Sequence, residues 1–188
     1  MLEEEIVNLL KSTGREGIEG LIDCLRIDGF FEAPCSGGNH LCKVGGLAEH
    51  SLNVCKVAMN FAQAVGYENM ESVVIVSLLH DYGKCGDFGK KYYIDNVLKS
   101  GKPSNVKPYK RNTTLLEKNH AVNSVLLIRE VFEITEEEQF AILHHDGFYE
   151  KANYDAWQNP TQLLMILHWA DLWSARVIEE NKDTEEEI

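Results

Sequence analysis

Residues 72–84 read SVVIVSLLHDYGK. From Ser72 to Leu79 no position is charged, and apolar side chains face every direction around a 3.6-residue repeat. A helix of that kind is buried on all sides. The β-branched content leaves a buried strand as the competing reading. Read as a helix, the run ends at Gly83, with His80 and Asp81 in its last turn. Whatever surrounds it must be helical too, because the 3.6 period dominates the rest of the chain.

Upstream, residues 2–11 and 16–27 have the pattern of two short helices. The stretch FFEAPCSGGNHLCKVGG then breaks the period with Pro34, Gly37, Gly38, Gly45 and Gly46. From Leu47 to Val65 the apolar positions Leu47, Val54, Val57, Ala58, Phe61 and Val65 recur at i, i+3/i+4, and His50 falls on that stripe, facing inward. Downstream, KKYYI and VKPYK flank a turn-rich segment and predict a small β-hairpin near 91–110. Thr114-Leu-Leu-Glu117 is a capping-box pattern that opens a helix to about Phe132, with His120 on a face shared with Leu127 and Val131. Thr135-Glu-Glu-Glu138 repeats the pattern for a helix ending at His144-His145. Asn159-Pro160 reads as an N-cap followed by proline at the first helical position. The last helix runs to about Glu179, with Asp171 on its apolar stripe beside Leu164, Leu167, Ala175 and Ile178. The expectation is an all-α bundle of six or seven helices.

Seven residues of metal-ligand type lie along this framework in order: His50, His80, Asp81, His120, His144, His145 and Asp171. Imidazole with carboxylate suits borderline divalent cations, namely Mn, Fe, Co, Ni or Zn. A lone inward histidine is ordinarily a core residue, but an inward aspartate without a partner is costly. A cation would compensate Asp81 and Asp171 together. Adjacent helical residues differ by about 100° in direction, which suits an Asp81 that bridges two metals while His80 binds one. His168 lies one turn before Asp171, as a ligand-orienting or a packed histidine, and His40 lies in the glycine-rich loop before the His50 helix. Trp157, Trp169 and Trp173 read as core.

The chain has 188 residues, which suits one domain, and its composition is that of an ordinary globular protein. The net charge of −12 argues against general nucleic-acid binding. No apolar run is long enough for a membrane span. The opening MLEEEIVNLLKS is acidic, unlike a secretory signal, so the default location is cytoplasmic. The cysteines Cys24, Cys35, Cys42, Cys55 and Cys85 are odd in number and form no C-x-x-C pair, so reduced thiols are expected. Between Lys84 and Arg111 eight cations face only Asp87 and Asp95, a basic island able to attract an anionic substrate. The tail EENKDTEEEI reads as a frayed acidic helix end.

The segments GGLAEHSLNV, LLHDYGK, KNHAVNSVLLI, LHHDGFY and MILHWADLWSARV resemble the successive motifs of the HD-domain superfamily of metal-dependent phosphohydrolases, in its two-metal H…HD…H…HH…D form. The resemblance runs from about Gly45 to Val177. It implies one HD domain with a core at 45–178, N-terminal helices 2–27, a basic insert 84–112 and an acidic tail 179–188. It implies that His50, His80, Asp81 and Asp171 bind a first metal, with Asp81 bridging, and that His120, His144 and His145 bind a second. Lys84 matches the lysine of the HDxGK motif and is implied to touch a substrate phosphate or the leaving oxygen. After His145 the chain reads DGFYEKANYD rather than the GYP signature of cyclic-di-GMP phosphodiesterases in the same superfamily.

The function expected on these grounds is hydrolysis of a nucleotide or related phosphoester by attack of a metal-bound hydroxide. Asp81 and Lys84 would act at the reacting centre, and Lys84, Lys110 and Arg111 would hold the anionic substrate. Two other readings stand beside it. Some proteins of this fold are di-iron oxygenases with a similar ligand order, and a non-catalytic nucleotide-binding protein could use the metals structurally.

Overall fold

The computed structural model describes residues 1–116 and 118–179. Glu117 of the Thr114 capping pattern and residues 180–188 of the acidic tail lie outside the described residues. Among the described residues there are seven α-helices: α1 (Leu2–Ser12), α2 (Ile18–Ile27), α3 (Gly46–Val65), α4 (Met70–Leu79), α5 (His120–Val131), α6 (Glu136–His144) and α7 (Gln162–Trp173). Among these same described residues the only strands form two antiparallel pairs: β1 (Gly86–Asp87) with β2 (Lys90–Lys91), and β3 (Tyr93–Asp95) with β4 (Tyr109–Arg111). The all-α expectation and the hairpin near 91–110 are both met, and the β1–β2 turn is an addition. None of these helices is long and apolar enough to cross a membrane.

The run that decided the fold is the central helix. Every residue of α4 from Ser72 to Leu79 is buried, and α4 packs against α1, α3, α6 and α7. Encirclement explains why it has no polar face. Asn69 caps it by accepting from the Ser72 N–H at 3.1 Å. The helix stops at Leu79, earlier than Gly83, and a 3₁₀ turn at Tyr82–Cys85 follows. Ile6 and Leu10 of α1 and Leu21, Ile22 and Leu25 of α2 are buried in the same apolar cluster as α3, α4 and α7.

Two helix starts differ from the sequence expectation. α5 opens at His120, not near Thr114, because Asn119 accepts from the N–H groups of Ala121 (2.7 Å) and Val122 (3.4 Å). Thr114 is engaged elsewhere, its hydroxyl donating to Asn112 Oδ1. His120 is therefore the first residue of α5 rather than one on its mid-helix stripe, and Val131 is exposed. α7 is capped by Thr161, whose hydroxyl accepts from the Leu164 N–H, and not by Asn159-Pro160. The Thr135 capping box is present as expected. Trp169 and Trp173 are about half-exposed, contrary to a core assignment, whereas Trp157 is partly buried against the core.

The turn after α4 is clamped onto α5. Ser124 Oγ accepts from the Gly83 N–H (2.8 Å) and donates to His80 O (2.7 Å), and Asn123 Nδ2 donates to Gly83 O and Gly86 O. The approach leaves no room for a side chain at Gly83: a Cβ there would lie 2.2 Å from His120 O. Backbone cannot yield as a flexible side chain does. Gly83→Ala is expected to cost ~1–3 kcal/mol as overpacking. Urea unfolding measures it, and a midpoint equal to the parent's refutes the clamp.

Candidate metal centre

Five elements bring histidines and aspartates together. α3 supplies His50, the end of α4 supplies His80 and Asp81, α5 supplies His120, the end of α6 supplies His145 and Asp146, and α7 supplies Asp171. Asp81 is at the centre, buried, with its two oxygens facing opposite ways. Its Oδ2 is 3.5 Å from His80 Nε2 and 3.7 Å from His50 Nε2, and Asp171 Oδ1 lies 3.1 Å from the same His50 nitrogen. Its Oδ1 is 3.2 Å from His120 Nε2 and 3.7 Å from His145 Nε2. Asp146 closes that second group, 3.5 Å from His120 and 3.6 Å from His145.

The hydrogen bonds fix where the lone pairs point. His80 Nδ1 donates to Ser77 O (2.9 Å) and His145 Nδ1 to Ile142 O (2.7 Å), since a carbonyl can only accept. With Nδ1 so engaged, Nε2 is the ring nitrogen free to coordinate, and in both residues it faces Asp81. Burial, acting first, lowers the His80 pKa to about 4, so that ring is neutral at pH 7. His80 Nε2 and Asp81 Oδ1 are buried and have no hydrogen-bond partner. Acceptors converging on acceptors repel, and a cation resolves the conflict. Burial works against charge on His50, yet Asp171 and Glu179 outweigh it and draw its pKa well up. The pocket calls for positive charge at that point, from a proton or a metal. Burial would raise the Asp81 carboxyl, but Lys84, His80 and His120 hold it well below the usual range. The donor chemistry thus fits divalent metal: ligand atoms converge in the groups His50, His80 and Asp171; His80, Asp81 and His145; and His120, His145 and Asp146.

A family model described as HD domain matches residues 47–176. That span covers well over half of the chain and every group just described. The chain belongs to the HD domain family. Neither the comparison with curated proteins nor that with solved structures gives a match. HD domains are mostly metal-dependent hydrolases and generally bind divalent metals, and the His80-Asp81 pair at the centre here is the dipeptide of the name.

Within this HD domain the expected residues divide. His50, His80, Asp81, His120, His145 and Asp171 converge. His144 does not: its Nδ1 bonds Asn153 Oδ1 at 2.8 Å, and its ring packs on Phe140. The two rings of the doublet point about 100° apart, and it is His145 that faces Asp81. Asp146 takes the position expected of His144. Lys84 lies beside the cluster with Nζ 2.5 Å from Asp81 Oδ2. Lys110 is exposed on β4, Arg111 stacks on Tyr92 with its guanidinium 5.3 Å from the ring centre, and neither lines the cavity at the cluster. Of the basic island only Lys84 does.

That cavity, ≈ 190 Å³, is lined by Lys84, His50, Asp81, His145, Asp146 and Asp171 together with His40, Tyr149, His168 and Arg176. His168 Nδ1 donates to His145 O (2.7 Å), so it fixes the backbone of a ligand. Gly147 makes this possible: its φ is +61°, and a Cβ there would lie 2.5 Å from the His168 ring. His40 does reach the site, 3.3 Å from Cys35 Sγ and 3.7 Å from Glu179 Oε2. Glu179, Asp146 and Arg176 were not singled out from sequence. Asp146 carried one signal, as the residue that follows the His doublet in a turn.

Proposed function

We propose that this HD domain is a metal-dependent phosphohydrolase acting on a nucleotide or a related phosphoester. The observation that supports the reading most directly is the split carboxylate of Asp81, one oxygen for each group of ligands. Bound there, two divalent ions would neutralise phosphate oxygens and make a coordinated water acidic enough to serve as nucleophile near neutral pH. The remaining work belongs to side chains. Lys84 is nearly buried and paired with Asp81, which draws its pKa well up against the opposing effect of burial. It stays protonated and can hold a phosphate oxygen or the leaving oxygen. Arg176, at the exposed rim, offers a second, forked contact to phosphate.

The cavity supports a particular division of the substrate. Its ≈ 190 Å³ is below the ~300 Å³ at which drug-sized pockets begin. A phosphoryl group fits inside, and the organic portion must lie at the rim, where Tyr149 is 77% exposed. Tyr149 then offers a ring on which a base can stack.

The test is turnover of a panel of nucleoside mono-, di- and triphosphates and small diesters with Mn²⁺, comparing the parent with Asp81→Asn. The expected result is hydrolysis of at least one member, lost in the variant. No turnover with any divalent metal, despite two bound ions per chain, would reject hydrolysis of this panel. Dioxygen-dependent turnover by an iron-loaded chain would establish the oxygenase alternative instead. On an active substrate, Tyr149→Ala should raise KM by about tenfold, the loss of ~1.4 kcal/mol of stacking, with kcat little changed. An unchanged KM would exclude the rim contact.

A further inference from the structure

After α7 the chain makes a single π turn over Ser174–Ile178. Its closing bond is the Glu179 N–H donating to Ser174 O at 2.9 Å, five residues back. Two α turns take about seven residues, so a continuous α-helix would bring Ile178 to the inward face that Asp171 occupies. A π turn holds one residue more, and the inward position passes to Glu179. The exposures follow: Ile178 is 50% exposed, and the side chain of Glu179 is 1% exposed. A helix that turns an isoleucine out and a carboxylate in gives up apolar burial, which needs compensation.

The compensation is His50. Both oxygens of Glu179 lie within hydrogen-bonding distance of its Nδ1, at 2.9 and 3.1 Å. A carboxylate only accepts here, so Nδ1 carries a hydrogen, and Nε2, 3.1 Å from Asp171, is the nitrogen left to bind a metal in place of a proton. Asn53, one turn after His50 on α3, donates Nδ2 to Glu179 Oε1 at 2.9 Å and fixes the carboxylate in turn. The other inward rings, His80 and His145, have only backbone carbonyls on Nδ1.

We propose that Glu179 is a positioning residue for the metal centre: carried inward by the π turn and held by Asn53, it sets the tautomer and orientation of His50 and so raises the affinity of the site formed by His50, His80, Asp81 and Asp171. The inference rests on the metal reading of the preceding section. A carboxylate behind a ligand histidine makes the ring a better donor, and loss of such a partner typically lowers metal affinity ~10–100-fold.

The experiment is competition titration of the metal-free chain with Co²⁺ against a chromophoric chelator. The parent should bind two ions. Glu179→Ala should weaken one step ~10–100-fold and leave the other unchanged. In a His120→Ala background, which disables the second group, the Glu179→Ala loss should fall on the remaining step. Glu179→Gln keeps an acceptor oxygen for Nδ1 and should recover much of the affinity, a rescue that a merely structural role does not predict. Asn53→Ala should weaken the same step by less. Parent affinity at both steps in folded Glu179→Ala overturns the proposal. If that variant does not fold, parent affinity at both steps in Asn53→Ala overturns it equally. A parent chain that binds no Co²⁺ removes the metal reading itself, whereas two parent-like steps in every variant remove only the role of Glu179.

Discussion

On the proposed two-metal hydrolase reading, replacing Asp81 should abolish hydrolysis and reduce bound metal from two ions per chain to one at most. Asp81 is the residue that both ligand groups share, with Oδ2 toward His50 and His80 and Oδ1 toward His120 and His145. No neighbouring side chain can supply both contacts, because Asp171 faces only the first group and Asp146 only the second. A loss on the order of 10³-fold or more in kcat corresponds to ~4 kcal/mol of barrier. Asn is the informative replacement. Asp81→Ala leaves the Lys84 ammonium nearly buried without its partner, so a folding defect would confuse the result. Asp81→Asn keeps the shape and an acceptor for Lys84 and removes only the charge. Metal content per chain and turnover, measured on the same Asn sample, should fall together. Two retained ions with parent activity would remove Asp81 from the centre and the bridged arrangement with it.

Much of this site could be read from the sequence because helical period and ligand chemistry coincide. His50 sits on the apolar stripe of α3, and Asp171 on that of α7, so each was bound to face the core. The run 72–79 has no polar face because it has no solvent side. The failures share a physical cause, which is that helix ends do not obey the period. The His144-His145 pair lies where α6 stops, and spacing alone cannot say which ring turns inward. Thr114 and Asn119 are both competent caps, and the second prevailed because its carbonyl reaches two N–H groups while Thr114 is held by Asn112. Glu179 was hidden twice over. It stands at the head of an acidic run, where a solvated end is the ordinary expectation. Only the π turn, which no periodic pattern announces, carries it to His50. Arg176 belongs to the same five-residue turn, so the departure from α geometry affects both a rim cation and a buried carboxylate.

The largest stability loss outside the centre is expected from Arg15→Leu, about 3 kcal/mol at pH 7, because a buried charge would lose its partner. The partner is Glu138, fully buried in α6. Its carboxylate accepts from Arg15 Nη1 (2.8 Å), Ser72 Oγ (2.7 Å) and the Thr135 N–H (2.8 Å). One side chain thus links the α1–α2 loop, the start of α4 and the cap of α6. Leucine would remove the positive member and leave the anion with two neutral donors. Arg15 is 22% exposed, so water can relieve part of the strain, and the estimate stays at the low end of the ~3–5 kcal/mol range for broken buried pairs. The pH dependence gives a sharper test than the magnitude. Burial alone would raise the Glu138 pKa, but Arg15, Ser72 and the Thr135 N–H bring it below the ordinary glutamate value. A depressed folded pKa stabilises above the unfolded value of ~4.3 and is lost as pH falls through the folded one. Without Arg15, burial dominates and the folded pKa should lie above ~4.3, so the variant gains stability as pH falls from 7 towards 5. The parent gains nothing from Glu138 over that interval, because its carboxyl is ionised in both states. The gap between the two chains should therefore narrow from pH 7 to pH 5 in urea titrations. A gap that stays constant, or widens, would mean that Glu138 does not depend on Arg15 for its charge.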